Sequence, residues 1–157
     1  MSALSDDFLK TARHLLKGSS GPPSPAELRR AVSTAYYAVF HALARICADR
    51  LIGASSPTSS GAAWEQVYRA LEHGFARNAC EQSKGLGFSE GITTFATAFV
   101  SLQQERHRAD YAPNVSLSPM GVAELIAMAE MAISALQSCT SEEQTAFAAL
   151  VLLKLRK

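Results

Sequence analysis

Ser24-Pro25-Ala26-Glu27 opens a stretch that continues through Arg30-Ala31-Val32-Ser33-Thr34-Ala35-Tyr36-Tyr37-Ala38-Val39-Phe40-His41 and on to Cys47. A capping serine, a proline at the first helical position and a glutamate three residues after the serine form a capping box, so a helix starts here. Wound at about 100° per residue, its side chains sort into two groups. Arg30, Ser33, Thr34, Tyr37, His41 and Arg45 share one sector, while Val32, Ala35, Tyr36, Val39, Phe40, Leu43, Ile46 and Cys47 cover most of the rest. Roughly two thirds of the circumference therefore needs burial, which makes this the central helix of a helical core. Its polar sector carries Ser, Tyr, His and Arg rather than the Glu and Lys of a solvated face. That composition predicts a groove or a second subunit facing it; an ordinary solvated face is the plain alternative.

Working outward, Gly- and Pro-containing breaks fall at Gly18–Pro23, Gly53–Gly61, Ser83–Gly87 and Ala112–Ser118. Between them the apolar spacing is helical, with no lasting strand-like alternation. Thr140-Ser141-Glu142-Glu143 repeats the capping-box spacing, and Ser118-Pro119 supplies a cap with proline at the first position. The spacing predicts helices over about 3–17, 25–52, 62–77, 88–111, 119–138 and 141–155. The fifth has a stripe of Val122, Leu125, Ile126, Ala129, Ile133 and Leu136. The expected fold is all-α: an antiparallel up-and-down four-helix bundle core with one or two additional helices, in a single domain over residues 1–157.

Composition agrees with a globular chain: 157 residues, 48% hydrophobic, 18% charged and a net charge of +1. Nothing in that balance requires nucleic acid or an acidic membrane, although a local basic patch is compatible with it. The start Met-Ser-Ala-Leu-Ser-Asp-Asp has no basic n-region or apolar h-region, and no apolar run is expected to reach the length of a membrane span. Cys47, Cys80 and Cys139 lie far apart, which argues against a zinc ribbon or disulfide scaffold and for a reducing cytoplasm.

The fourth expected helix carries a seam of Phe88, Ile92, Phe95, Phe99 and Leu102, and the same spacing lands next on Arg106 and Asp110. Four residues apart, these two can pair along the helix where a hydrophobe is expected. Such a pair can close the end of a bundle, yet it stabilises less than apolar residues of similar size, which points to a further use. Arg106 offers a planar donor fork suited to phosphate oxygens. His107 and His41 are the candidate proton carriers, while Tyr37 and Tyr111 can donate hydrogen bonds or stack on a base. Cleaving a phosphodiester without metal needs such a kit: a cation for the developing charge and a group to move protons. His73 and His14 read as surface residues, and Trp64 and Tyr68, one turn apart, as core. There is no Glu-x-x-His, P-loop, Gly-x-Gly-x-x-Gly or Gly-x-Ser-x-Gly, so neither cofactor nor metal is expected.

At these residues the chain resembles the HEPN superfamily of α-helical domains. Arg30-Ala31-Val32-Ser33-Thr34-Ala35-Tyr36-Tyr37-Ala38-Val39-Phe40-His41 is similar to the family's "Arg-x-x-Ser-x-Ala-Tyr-Tyr-Ala-x-Phe-His" helix, and Arg106-His107-Arg108-Ala109-Asp110-Tyr111 to its "Arg-x-x-Ala-Asp-Tyr" ending. The resemblance implies a homodimeric helical bundle with the second motif lining a cleft between subunits. Many relatives are metal-independent ribonucleases, often toxins neutralised by a nucleotidyltransferase-type antitoxin; others are noncatalytic RNA-binding or interaction modules. The ribonuclease motif of the active relatives is an arginine, four to six intervening residues and then a histidine. After Arg106 those positions hold Tyr111, Ala112 and Pro113.

Two functional classes follow. In one, the protein is RNA-directed, either a degenerate metal-independent endoribonuclease of a toxin–antitoxin system or a binder. Arg106 then holds phosphate, Asp110 orients it, His41 or His107 moves protons, and Arg30, Ser33, Tyr37 and Tyr111 line the cleft. In the other, it is a homodimeric interaction or nucleotide-binding module in which Arg106–Asp110 is architecture.

Overall fold

In the computed structural model, which describes residues 3–53 and 61–157, the capped segment forms a helix from Pro25 to Leu51. Ser24 Oγ accepts from the Glu27 amide at 3.1 Å, and Glu27 Oε1 accepts from the Ser24 amide at 3.0 Å. The described elements are α1 (Ala3–Lys17), α2 (Pro25–Leu51), α3 (Gly61–Ala70), α4 (His73–Ser83), α5 (Glu90–Tyr111), α6 (Pro119–Gln137) and α7 (Ser141–Leu152). No strand occurs among the described residues, and the protein is an all-α helical bundle. Gly18 turns the chain from α1 toward α2 at φ +82°, where a Cβ would collide with the Gly21 carbonyl oxygen. The break expected over Gly53–Gly61 lies mostly outside the described residues.

Helix α2 packs on α1, α3, α5, α6 and α7, as its wide apolar sector requires. Ala31, Ala35, Ala38, Ala42 and Ala44 are buried along it and let neighbouring helices approach closely, while Val32, Tyr36, Val39 and Leu43 fill the space between them. From α5 come Ile92, Phe95, Phe99 and Leu102, and from α6 Val122, Ile126, Ile133 and Leu136. Phe147 of α7 meets Phe95 edge-on at 6.0 Å. Helix α7 also caps a neighbour: Ser89, which precedes α5, donates its amide to Glu143 Oε2 at 2.8 Å and its hydroxyl to Glu143 Oε1.

Several expectations need correction. Four core helices with one or two additions would total at most six, whereas seven are present among the described residues. The helix expected over 62–77 is two, broken where Glu72 is extended (φ −113°, ψ 137°). The break buries Leu71 and sets the His73 ring on Phe40, centroids 4.1 Å apart, so tertiary packing overrides a continuous local pattern. Trp64 and Tyr68 are half-buried rather than core; α3 buries no residue fully. They stack on each other at 5.2 Å, and Trp64 Nε1 donates to Asp49 Oδ1 at 2.9 Å. The last helix stops at Leu152, because Leu153 and Leu155 find no core to enter. Finally, α6 is long and apolar enough to cross a membrane by length and composition. Its stripe from Val122 to Leu136 is buried against the bundle except at Leu125, which is half-buried.

Candidate functional site

The last turns of α5 lie beside the polar sector of α2. Arg106 Nη2 donates to Tyr37 Oη at 2.9 Å, and Arg106 Nε stands 3.0 Å from Asp110 Oδ2. That N–H has no well-aligned acceptor, so the contact with Asp110 is an ion pair more than a hydrogen bond. Ser33 Oγ donates to the same carboxylate oxygen at 3.2 Å. The guanidinium carbon also lies 5.7, 5.4 and 5.9 Å from the ring centroids of Tyr36, Tyr37 and Tyr111. Helical geometry explains the meeting: Ser33 and Tyr37 are one turn apart on α2, as Arg106 and Asp110 are on α5. The side chains of Arg106 and Asp110 remain 17% and 26% exposed.

The outer side of Arg106 lines a groove of about 660 Å³ between the first turns of α4 and the last turns of α5, shared with His73, Arg77, Asn78, His107 and Arg108. Arg77 lies 3.4 Å from Glu81, and Arg108 donates to both oxygens of Glu105 at 3.0 Å, so two of these cations have local counter-charges. Tyr36 Oη shares a 2.6 Å hydrogen bond with His73 Nδ1. Burial holds His73 below the ordinary histidine value, and the charges of Arg106 and His41 push the same way. The ring is thus neutral near pH 7. Burial also raises the Tyr36 phenol, which stays protonated.

The other candidates scatter. His41 does not reach Arg106; its Nδ1 shares a 2.6 Å hydrogen bond with Tyr68 Oη, and its ring stacks on Phe8 at 5.2 Å. Burial lowers its pKa as well. His107 is exposed on the groove rim with its ring 4.8 Å from Tyr111, itself exposed. Arg30 is exposed. It is the preceding residue, Arg29, that reaches α5, donating from Nη1 to the carbonyls of Ala109 and Ala112, both at 2.8 Å. These are orphan acceptors at a helix C-terminus, where a cation is favoured.

Sequence reasoning missed His73, Arg77 and Arg29. The Gly74 after His73 was the one local hint of a helix boundary there. Among the described residues no three His, Cys, Asp or Glu side chains gather into a metal-holding group. Cys47 and Cys80 are buried free thiols pushed up to about 12 by burial, which keeps them unreactive. Comparison with protein-family models, curated proteins and solved structures finds no match for this chain.

Proposed function

We propose that this chain is an RNA-directed, HEPN-like helical module that binds a phosphodiester in the α4–α5 groove, with Arg106 as the cation nearest the phosphate. The observation that carries the reading is the mounting of Arg106. Tyr37 of α2 and Asp110 one turn along α5 hold its guanidinium, while its other side lines a groove flanked by Arg77, Arg108, His73 and His107. A fixed, partly desolvated arginine with further cations nearby suits a backbone phosphate better than a small neutral ligand. Helices α1, α2, α5 and α6, which pack as α1 on α2, α2 on α5, α5 on α6, and α1 and α2 on α6, would be the four-helix core of such a domain. A toxin–antitoxin setting, a nucleotidyltransferase-type partner and pairing of subunits along the cleft rest on the sequence resemblance. A cytoplasmic location rests on the scattered, unpaired cysteines.

The assignment of proton carrier shifts with the geometry. Of the histidines, His73 is the one whose pKa Arg106 depresses, whereas His41 faces α3 and His107 stands on the rim. If the module cuts RNA, His73 is the residue placed to move a proton beside Arg106.

A second reading, in which Arg106 is architecture, is favoured by its 17% exposure and its three aromatic neighbours. Fluorescence anisotropy with labelled single-stranded RNA in EDTA separates the two. Wild-type protein should bind with an affinity that falls as salt rises. Arg106→Gln should bind about tenfold more weakly while circular dichroism shows the fold retained. Shortened RNA on a gel of the same samples would identify a ribonuclease. Wild-type protein that neither binds nor cuts RNA refutes the proposal, and undiminished binding by Arg106→Gln assigns the arginine to architecture.

A further inference from the structure

Helix α6 is largely apolar, yet only 33% of its most apolar stretch is buried inside the bundle. The uncovered part forms, with α5, a groove of about 680 Å³ on a different face from the α4–α5 groove. Thr94 and Ala98 provide a floor of small side chains on α5, Met128 and Met131 an adaptable apolar wall on α6, and Glu90 and Glu124 the charges. Both charged residues are acidic. A copy of the same groove therefore makes a poor partner, because acid would face acid.

One segment of this chain has the complementary chemistry. Leu153 is extended (φ −105°, ψ 133°), and Leu153-Lys154-Leu155-Arg156-Lys157 alternates apolar and basic residues. In extended chain the period of two puts Leu153, Leu155 and the terminal Lys157 on one side and Lys154 and Arg156 on the other. Leu153 is 63% and Leu155 95% exposed, a costly state for two neighbouring leucines. Lys154 lies over the Phe75 ring of α4 at 5.8 Å, so the segment's own molecule holds it beside α4 with its leucines turned outward. Leucines two residues apart along a strand are separated by about 7 Å. Residues four apart on a helix, such as Thr94 and Ala98, rise by about 6 Å. The two repeats match closely enough for both leucines to sit in successive turns of the groove.

We propose that the α5–α6 groove receives the Leu153–Lys157 segment of a second copy of this chain, exchanged reciprocally in a two-fold dimer. Leu153 and Leu155 cover Met128 and Met131, and Lys157, on the same side of the segment, approaches the acidic pair Glu90 and Glu124. The contact is small, so the dimer is weak, concentration-dependent and loosened by salt.

Sedimentation velocity across a concentration series tests this. Wild-type protein should dimerise, and both Leu155→Glu and Met131→Glu should raise the dissociation constant about tenfold or more. Both positions are exposed (95% and 68%), so the fold should survive either change. The decisive experiment mixes the two variants. A Leu155→Glu copy keeps an intact groove and a Met131→Glu copy an intact segment, so the mixture should associate more strongly than either alone. A wild-type monomer at every concentration overturns the proposal, as does a dimer indifferent to both substitutions. Loss in both variants without rescue on mixing also overturns it, showing that groove and segment do not meet. So does flotation of the wild-type protein with anionic lipid vesicles that Met131→Glu abolishes, since the groove would then face a membrane.

Discussion

Replacing Arg106 by alanine removes three kinds of contact at once, and their sum is large enough to read in a melting curve. The ion pair with Asp110 is mostly buried on the arginine side and a quarter exposed on the other. Breaking a fully buried pair costs about 3–5 kcal/mol. Here Asp110 keeps water access and the Ser33 hydroxyl, so about 1–2 kcal/mol is the appropriate share. Losing the donor to Tyr37 adds about 1 kcal/mol, and the ring contacts of Tyr36, Tyr37 and Tyr111 a further fraction of one. The total is about 3 kcal/mol, which for a chain of this size lowers Tm by about 6–12 °C. Differential scanning fluorimetry of Arg106→Ala, Asp110→Ala and the double variant measures it, with a coupling of about 1–2 kcal/mol expected from the cycle. A single variant that melts within about 1 °C of wild type, or a cycle with no coupling, would refute the view that this arginine is held by Asp110 and Tyr37.

Other perturbations reach different parts of the fold. His41 and His73 are held below the ordinary histidine value, chiefly by burial. The unfolded chain then takes up protons first as pH falls, so their contribution to stability is complete above about pH 6.5 and lost below it. The urea midpoint should drop between about pH 7.5 and pH 5, and drop less in a His41→Gln/His73→Gln variant; equal drops would exclude these histidines as the cause. At Gly91 a Cβ would stand 2.7 Å from Cys139 Sγ and 3.1 Å from the Ala135 carbonyl oxygen. Gly91→Ala should therefore cost about 1–3 kcal/mol by denaturant titration, and Cys139→Ala should recover part of the loss. Arg29→Ala frees two carbonyls at the end of α5 and should cost about 1–3 kcal/mol, with amide exchange rising first over residues 108–112.

How legible all this was in the sequence depends on whether a feature is local. The start of α2, the cap of α7 and the stripe of α6 are set by residues within a turn or two of one another, and each stands where the spacing puts it. The Arg106–Asp110 pair is local in the same sense, since i and i+4 on a helix are neighbours. The break at Glu72 is not local. It exists because Tyr36 and Phe40, more than thirty residues earlier, offer the His73 ring a hydrogen bond and a stacking face. For the same reason His73 reads as a surface residue in sequence and stands beside Arg106 in the fold. Arg29 stands one turn before Ser33 and two before Tyr37, so its reach to the end of α5 was open to the same spacing argument, which stopped instead at its neighbour Arg30. The seven-residue span 54–60, which precedes α3, falls outside the described residues.

The thin attachment of α3 has its own consequence. This helix contributes nothing fully buried and meets the rest of the bundle through half-buried rings, chiefly Trp64 on Asp49 and Tyr68 on His41. A piece of structure held that way opens at a small fraction of the free energy needed to unfold the whole chain. Each opening bares the His41 ring and lifts the burial that keeps it neutral, while Arg106, Asp110 and Tyr37 stay in place. Because the closed form keeps the His41 pKa low and the open form does not, acid favours opening, and α3 should loosen ahead of the bundle as pH falls.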